Sequence, residues 1–511
     1  MSGSGGNGGY EYQARVTAYV AAHILTQQKL GWIEHSNPDI PIAVAAETNG
    51  PGDDIKITLE DGTTVEVQVK HRLQKNEKFW KAILKLAQGL AENPHLYCIL
   101  LTDSTASGTF KDELRQDLKR LGQGRTDDLT GITHEVINEF AKKGIPDNPS
   151  LFRRLLIIVV DLEDDTQGAK FAQEMLLHVL AEKNQLSQAW NILVADASKL
   201  ITNRGRRDAE GIARLLGSKS IQLSANSSNP AITAELYREW LKKTTSDFIV
   251  LGIEKKLSIE TDWISLKVKQ NNGDDDQAIF KAEFIPELYN LTVVVGNPGS
   301  GKSTLLKCLA HQLCVLEKKV LRVRLKHISN LCRQQGKTFE DAIFKAAADS
   351  SGVNEDQLKF ALSCPDYLLV DGFDECDDLV NISSQLTAWS EGHAITRIII
   401  TTRPGYGLKH FSDWKQVEIL PLKTSDILKF AKRIVEIHSI DKETIKEQEI
   451  LFENWLKNTQ TASLAARNPL LLGFIVQLFP FDPNSILNRA NIYKKIIAYC
   501  SDKFPQYREP I

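Results

Sequence analysis

The chain has 511 residues, a formal net charge of −3 at pH 7, 42% hydrophobic residues and 25% charged residues. This composition fits about three or four soluble globular domains. It excludes nucleic-acid binding through bulk positive charge, and any such binding must come from local basic patches. No apolar run reaches membrane-spanning length and the start lacks a signal-peptide core, so no membrane partner is expected.

The leading MSGSGGNGG reads as flexible. Residues 10–30 predict an amphipathic helix in which Val16, Tyr19, Val20, His23 and Ile24 keep helical spacing, with His23 a core or boundary histidine. Short strands follow near 42–46, 54–59 and 63–70. A helix is expected over 77–92, strands over 96–102 (LYCILLT) and 155–162 (LLIIVVDL), and helices near 110–121, 134–143, 167–183 and 207–216. Together these make an α/β domain of about 220 residues. SANSSNP (224–230) is a polar connection, a helix is expected near 231–243, and NNGDDDQ (271–277) reads as an exposed acidic loop. The seven cysteines (98, 308, 314, 332, 364, 376, 500) are scattered without C-x-x-C spacing, and predict reduced thiols of a cytoplasmic protein.

The informative part of the first domain is ETNGPGDDIKITLEDGTTVEVQVKHR (47–72), two alternating runs around an Asp-Gly turn. A two-residue loop at Asp61-Gly62 would pair Asp54 with Val69 and mix the two faces. A loop of Glu60, Asp61 and a left-handed Gly62 pairs Leu59 with Thr63 and Asp54 with Gln68. Ile55, Ile57, Leu59, Val65, Val67 and Val69 then share one face, and Asp54, Glu66, Gln68 and Lys70 share the other. An aspartate, an amide oxygen and a lysine on one hairpin suit a metal-dependent phosphodiesterase. Asp54 and the Gln68 carbonyl oxygen would hold a divalent cation, and Lys70 would stabilise the phosphorane charge or orient the attacking water. Asp53 competes with Asp54 for the cation, and the register favours Asp54. The competing account is the polar outer face of an ordinary hairpin.

Downstream, LTVVVGNPGSGKSTLLKCLA (291–310) joins an apolar strand, a glycine-rich loop and a helix. The pattern G-x-x-x-x-G-K-[ST] runs through Gly296, Asn297, Pro298, Gly299, Ser300, Gly301, Lys302 and Ser303, with Thr304 next. Backbone amides and the helix N-terminus would cradle the phosphates of ATP, Lys302 would reach the β- and γ-phosphates, and Ser303 would reach Mg2+. A second apolar strand, 367–370, ends in Asp371, placed to hold the same Mg2+. Asp374 and Glu375 follow within a turn and would orient or deprotonate water, or else form a solvated loop. RIIITTRP (397–404) sets Arg403 just past a third strand, where it would read the γ-phosphate or else lie as a surface arginine before Pro404.

These pieces resemble the NACHT family of STAND NTPases, whose mark is a small residue after the Mg2+ aspartate and then an acidic pair, here Asp371-Gly372-Phe373-Asp374-Glu375. VEILPLKTSDILKFAKR (417–433) resembles the strand and helix leaving the NTPase core. ARNPLLLGFIVQLF (466–479) resembles the helical domain, with Pro469 implied near the adenine. LNRANIYKKIIAY (487–499) resembles the opening of the winged helix. The resemblance covers roughly 245–511 and runs out near Ile511, so the family's winged-helix histidine has no counterpart to assign, and a repeat-built sensor is expected to be missing. The hairpin resembles the PD-(D/E)xK nucleases in their D…QxK, Mrr-like form. With GYEYQ (9–13) it resembles the Cap-type double-stranded DNA endonuclease of bacterial antiphage systems, which implies that Gln13 and Glu47 border the active site.

The expected fold is thus α/β. A restriction-endonuclease-like domain spans 1–225, a linker and lead-in 226–285, a P-loop parallel-sheet NTPase core 286–422, a helical domain 423–482 and the start of a winged helix 483–511. The resemblances imply an antiphage effector in which ATP binding drives a homo-oligomer, a tetramer being one candidate, that activates Mg2+-dependent cutting of double-stranded DNA after an invader-derived trigger. Basic clusters at His71-Arg72 with Lys75 and Lys78, at Lys119-Arg120 with Arg125, and at Arg204 with Arg206-Arg207 are candidate backbone contacts. No base-reading motif is visible, so cutting is expected to be weakly sequence-specific. Three other readings stay open: an ATP-driven restriction-type enzyme, a catalytically inactive DNA-binding NTPase, and a product lacking its sensor.

Overall fold

The computed structural model describes residues 4–33, 39–225, 227–250, 256–270, 278–406, 408–438, 442–479 and 489–503. The chain divides into two units, Met1–Leu236 and Tyr237–Ile511.

The first unit is built on a sheet of β1 (Pro41–Ala46), β2 (Ile55–Leu59), β3 (Thr64–Val69), β4 (Leu96–Thr102), β5 (Leu155–Val159) and β6 (Arg206–Asp208), in the order β5-β4-β3-β2-β1-β6. The hairpin takes the register of the longer loop: Ile55 pairs with Val67, Ile57 with Val65, and Leu59 N–H donates to Thr63 O at 2.9 Å. Gly62 makes this loop with φ +85°, a conformation that a side chain would oppose. From β3 onward the strands run parallel, β3 beside β4 and β4 beside β5. Their continuous apolar runs are explained by burial on both faces. Ile99 and Leu101 join Val65, Val67 and Val69 in one core, while Cys98 and Leu100 join Leu155 and Ile157 in the other. The second core is covered by the helix Glu77–Glu92, whose buried Phe79, Ile83, Leu86 and Leu90 keep helical spacing and whose N-cap Asn76 accepts from Phe79 N–H.

Several elements depart from the sequence reading. The first helix runs Ser4–Thr26, so it begins inside the glycine-rich start. It is buried nearly all round, Ala14, Val16, Ala18, Val20, Ala22 and Leu25 included, rather than along one stripe. The reason is that Gln167–Leu176, Leu186–Asn203, Ala209–Ser218 and β1 pack around it. The helix Leu186–Asn203 was not anticipated, although its buried Ala189, Trp190, Leu193, Ala197 and Leu200 carry the period. Strand β6, Arg-Arg-Asp, has no strand signal and forms by pairing with the edge of β1.

The second unit holds a small ribbon of β7 (Asp247–Phe248) and β8 (Leu257–Ser258) and a larger sheet. That sheet contains β9 (Lys267–Gln270), β10 (Ile279–Lys281), β11 (Leu291–Val295), β12 (Val320–Arg324), β13 (Tyr367–Asp371), β14 (Arg397–Thr402) and β15 (Lys415–Ile419), in the order β10-β9-β15-β11-β14-β13-β12. From β15 to β12 all neighbours are parallel, and β9 and β10 add an antiparallel edge. Because β14 lies between β11 and β13, the carboxyl ends of all three open side by side, the usual place for a ligand in such a sheet. The acidic loop 271–277 and residues 487–488 of the expected winged-helix opening lie outside the described residues; what is described there is the helix Arg489–Lys503. Among the described residues no helix is long and apolar enough to cross a membrane, and Cys98, Cys308, Cys314, Cys332, Cys364 and Cys376 are free thiols.

Candidate functional site

After β11 the chain turns through residues 296–301 into the helix Lys302–Val315. Gly299 has φ +75°, and a side chain there would lie 2.8 Å from Asn468 Oδ1 and from Leu470 Cβ, so glycine is required by both backbone and contact. Lys302 Nζ donates to Gly296 O at 2.6 Å and to Asn297 O at 3.3 Å, curling back over the loop that would hold phosphate. Burial lowers its pKa, against the pull of Asp374, Asp371 and Glu375.

Across the loop, Thr401 is fully buried and its hydroxyl donates to Asp371 Oδ1 at 2.7 Å while accepting from Gly372 N–H at 3.0 Å. This fixes Asp371 at the end of β13 and leaves Oδ2 without a hydrogen bond among the described residues. With Ser303, which lines the same cavity, that free oxygen gives a donor set fitting Mg2+. Arg403 does not stand free. Its Nε lies 2.8 Å from Asp374 Oδ2 and its N–H donates to Asp374 Oδ1 at 3.1 Å. The Asp374 side chain is 5% exposed and that of Arg403 47%, so the acid is covered by the cation.

The cavity has a volume of about 390 Å3 and a lining of two chemical kinds. Its polar lining is residues 299–304, Asp371, Asp374, Glu375 and Arg403, and its apolar lining includes Phe248, Ile249, Trp263, Leu266, Leu422, Phe430 and Pro469. Trp263 is held by Nε1–H donation to Glu283 Oε1 at 2.5 Å and meets Phe248 edge-on, 6.2 Å between ring centroids. At the rim, burial pushes the Asp262 carboxyl up, but the Arg433 guanidinium at 2.5 Å and Ser258 N–H outweigh it, and the group stays below the usual range. The helix Pro469–Leu478 docks its N-terminus on the glycine loop. Asn468 Nδ2 donates to Pro298 O at 2.9 Å and Leu470 N–H donates to Gly299 O at 3.2 Å, while Asn468 Oδ1 caps its own helix.

In the first unit, Asp54, Gln68 and Lys70 meet at one end of the sheet. Gln68 Nε2 donates to Asp54 Oδ2, Val69 N–H donates to the same oxygen at 2.7 Å, and Lys70 Nζ stands 3.7 Å away. Gln13, from the first helix, donates to Glu47 Oε1 at 3.0 Å and to Asp54 O at 3.1 Å. Burial pushes the Asp54 carboxyl up; Lys70, Val69 N–H and Gln68 pull it down without cancelling the burial, and Glu47 adds to the rise. Asp54 Oδ1 accepts no hydrogen bond among the described residues. A buried carboxylate short of positive charge, a second carboxylate beside it and an amide fit a divalent cation, provided that the Gln68 amide turns Oε1 toward it. Among the described residues no cluster of three or more His, Cys, Asp or Glu side chains forms a ready metal cage. Asp53 turns away to pair with Lys85. Glu66, expected on the open face, is 3% exposed and accepts from the Thr48 hydroxyl at 3.2 Å, so it anchors the loop 47–54.

Sequence reading did not anticipate Thr401, Asn468, Trp263 or Phe248. Asn468 had the local signal of an N-cap before proline; the others had none. Of the basic clusters, Arg207 is committed to Asp196 through two hydrogen bonds of 3.0 and 2.9 Å, Lys75 to Glu135, and Arg120 to Asp117. Arg72 and Arg206 remain exposed, Arg206 pairing with Asp208 at 3.6 Å, and Gly205 O, next to Arg206, accepts from Ala46 N–H beside Glu47.

Residues 290–437 match the NACHT domain family, which assigns nucleotide (ATP) binding and NTPase activity to this stretch. Among solved structures, the chain is similar to AMPPCP-bound DnaA of Aquifex aeolicus (15% identity, 45% of this chain and 67% of that one, TM-score 0.28). It is similar to domain III of Thermotoga maritima DnaA (16%, 43% and 87%, TM-score 0.28). It is also similar to the Cap4 SAVED/CARF-domain containing receptor of Moraxella osloensis (14%, 77% and 70%, TM-score 0.29). No curated protein matches the chain.

Proposed function

We propose that this chain is an ATP-switched DNA endonuclease of a defence system: its NACHT domain sets the association state, and association brings copies of the first unit onto both strands of duplex DNA. The observation that carries the nuclease reading is the convergence of Asp54, Gln68, Lys70 and Glu47 in a chain with a complete P-loop site. Asp54, Glu47 and the Gln68 carbonyl oxygen would hold Mg2+, which when bound supplies charge for the phosphorane and a more acidic water. Lys70 orients that water or meets the developing charge. Arg72 is exposed and available to a backbone phosphate, while Arg206, paired with Asp208 at 3.6 Å, would have to exchange that partner for phosphate; each phosphate contact is worth about one unit of salt dependence. A neutral third donor, Gln68, holds the cation more weakly than a carboxylate, which makes cutting responsive to assembly. One active site hydrolyses one strand, so double-strand breaks require at least two copies.

In the nucleotide site, Ser303 and Asp371 would hold Mg2+ and Lys302 would move from Gly296 O and Asn297 O to phosphate. A γ-phosphate competes with Asp374 for Arg403, and its arrival uncovers the acid best placed to orient water. Nucleotide thereby selects between two arrangements through differential contacts. The activating partner is an invader-derived trigger.

The test is plasmid nicking and linearisation by the full chain in Mg2+, with and without ATP, for wild type, Lys70→Ala and Lys302→Ala. Cutting that both substitutions abolish is expected. Undiminished cutting by Lys70→Ala would sink the nuclease assignment; loss with Lys70→Ala alone would sink control by nucleotide.

A further inference from the structure

We propose that His71, held by Asp103, is the general acid of the first unit, handing a proton to the 3′-oxygen that leaves when the DNA phosphodiester is cut. This rests on the nuclease reading above. The parallel strands β3, β4 and β5 end together, and their next residues are Lys70-His71, Asp103 and, after Val160, Asp161. His71 Nδ1 lies 2.8 Å from Asp103 Oδ2. The approach is oblique, so Nδ1 lacks a well-aligned hydrogen bond; catalytic hydrogen bonds commonly tighten only when substrate binds.

Asp103 is built to orient a partner. It is 5% exposed, and its oxygens accept from Arg72 N–H at 2.8 Å, from Thr105 N–H at 2.9 Å and from the Thr105 hydroxyl. On its other side the imidazole meets the Tyr12 ring, 5.4 Å between centroids, and Tyr12 is fixed by donating to Val160 O at 2.7 Å. Tyr12 precedes Gln13, which holds Glu47 and Asp54. The same helical turn therefore supports the cation ligands and the imidazole. His71 Nε2 has no hydrogen-bond partner among the described residues, and the side chain is 18% exposed, so a substrate atom can reach it.

Just past the end of β3, Lys70 reaches Asp54 Oδ2 at 3.7 Å while the next residue, His71, faces Asp103 and Tyr12 instead, so in this proposal a phosphate at this strand end meets Lys70 on one side and the imidazole on the other. In-line hydrolysis needs that arrangement: water on one side, the leaving oxygen on the other. The water oxygen–phosphorus bond forms and the phosphorus–O3′ bond breaks. The electron pair stays on O3′, which takes the proton from Nε2. The proton of the attacking water passes to solvent, from which His71 is recharged. Products are a 5′-phosphate and a 3′-hydroxyl.

The experiment compares duplex DNA carrying an ordinary 3′-oxygen with duplex carrying a bridging 3′-sulfur at the cut position, whose thiolate leaves without a proton. It uses the full chain in Mg2+ and ATP, with wild type, His71→Gln, His71→Ala and Asp103→Asn, each first shown to keep the wild-type melting transition. The histidine variants should cut the oxygen substrate about 100-fold more slowly or worse and the sulfur substrate within about threefold of wild type. Asp103→Asn, acting through His71, should shift the oxygen-to-sulfur ratio in the same direction by a smaller factor, which a merely structural role would leave unchanged. Equal loss on both substrates, or no loss on either, overturns the proposal while Lys70→Ala still tests the nuclease. A wild type that cuts neither substrate overturns the nuclease reading and this proposal with it.

Discussion

Asn468 separates two jobs that one side chain performs, and two substitutions pull them apart. Its Oδ1 caps the helix Pro469–Leu478, accepting from Leu470 N–H at 3.0 Å and Leu471 N–H at 3.3 Å, while its Nδ2 donates to Pro298 O at 2.9 Å in the glycine loop. Losing a cap costs about 1 kcal/mol, and losing one neutral hydrogen bond at a half-exposed position about 0.5–1 kcal/mol. Asn468→Ala removes both, about 2 kcal/mol, which for a unit of this size lowers Tm by about 4–8 °C. Asn468→Asp keeps the cap, since aspartate is as good a capping residue and suits a helix N-terminus. It also sets a carboxylate against the Pro298 carbonyl and near the phosphate loop. Its Tm without nucleotide should stay within about 2 °C of wild type, while ATP affinity falls about tenfold or more, the equivalent of about 1.4 kcal/mol. Differential scanning fluorimetry without nucleotide and titration with a fluorescent ATP analogue give the two numbers. Wild-type affinity in Asn468→Asp would refute the idea that this helix end shapes the phosphate loop.

Asp374→Asn should release Arg403 from its ion pair; ATP affinity should hold or rise while steady-state phosphate release falls about 100-fold, the range of lost acid–base catalysis, and unchanged hydrolysis would assign the water to Glu375. His23 predicts a pH dependence of the first unit. Burial pulls its pKa from 6.5 to about 4, so the unfolded chain binds the proton first. Its stabilising contribution is therefore complete above about 6.5 and is lost as pH falls toward about 4. Between pH 8 and pH 5 this amounts to about 2 kcal/mol. Unfolding free energies of wild type and His23→Phe from urea titrations should diverge by that much between the two pH values, and parallel pH dependences would refute the shift at His23.

The amino-acid sequence determined the parts whose chemistry is local. The glycine loop, the lysine and the helix after it are contiguous, and their phosphate-binding geometry is a property of neighbouring backbone dihedrals. The hairpin register was likewise legible, because a period of two leaves one loop length that puts Ile55, Ile57, Val65 and Val67 on one face. The opposite face then carried Asp54, Gln68 and Lys70 to one end of the sheet. What the pattern did not disclose is what each polar group already holds. Glu66 shares the hairpin's polar periodicity yet is buried under the loop 47–54, and Asp53 is as acidic as Asp54 yet turns to Lys85. Arg403 looked like a free γ-phosphate reader and is engaged by Asp374. Asn468 reaches Pro298 across 170 positions, and Thr401 reaches Asp371 across 30. Such contacts follow from strand order and helix docking, which long-range apolar burial sets, and a polar side chain's partner is decided by the surface that burial brings beside it.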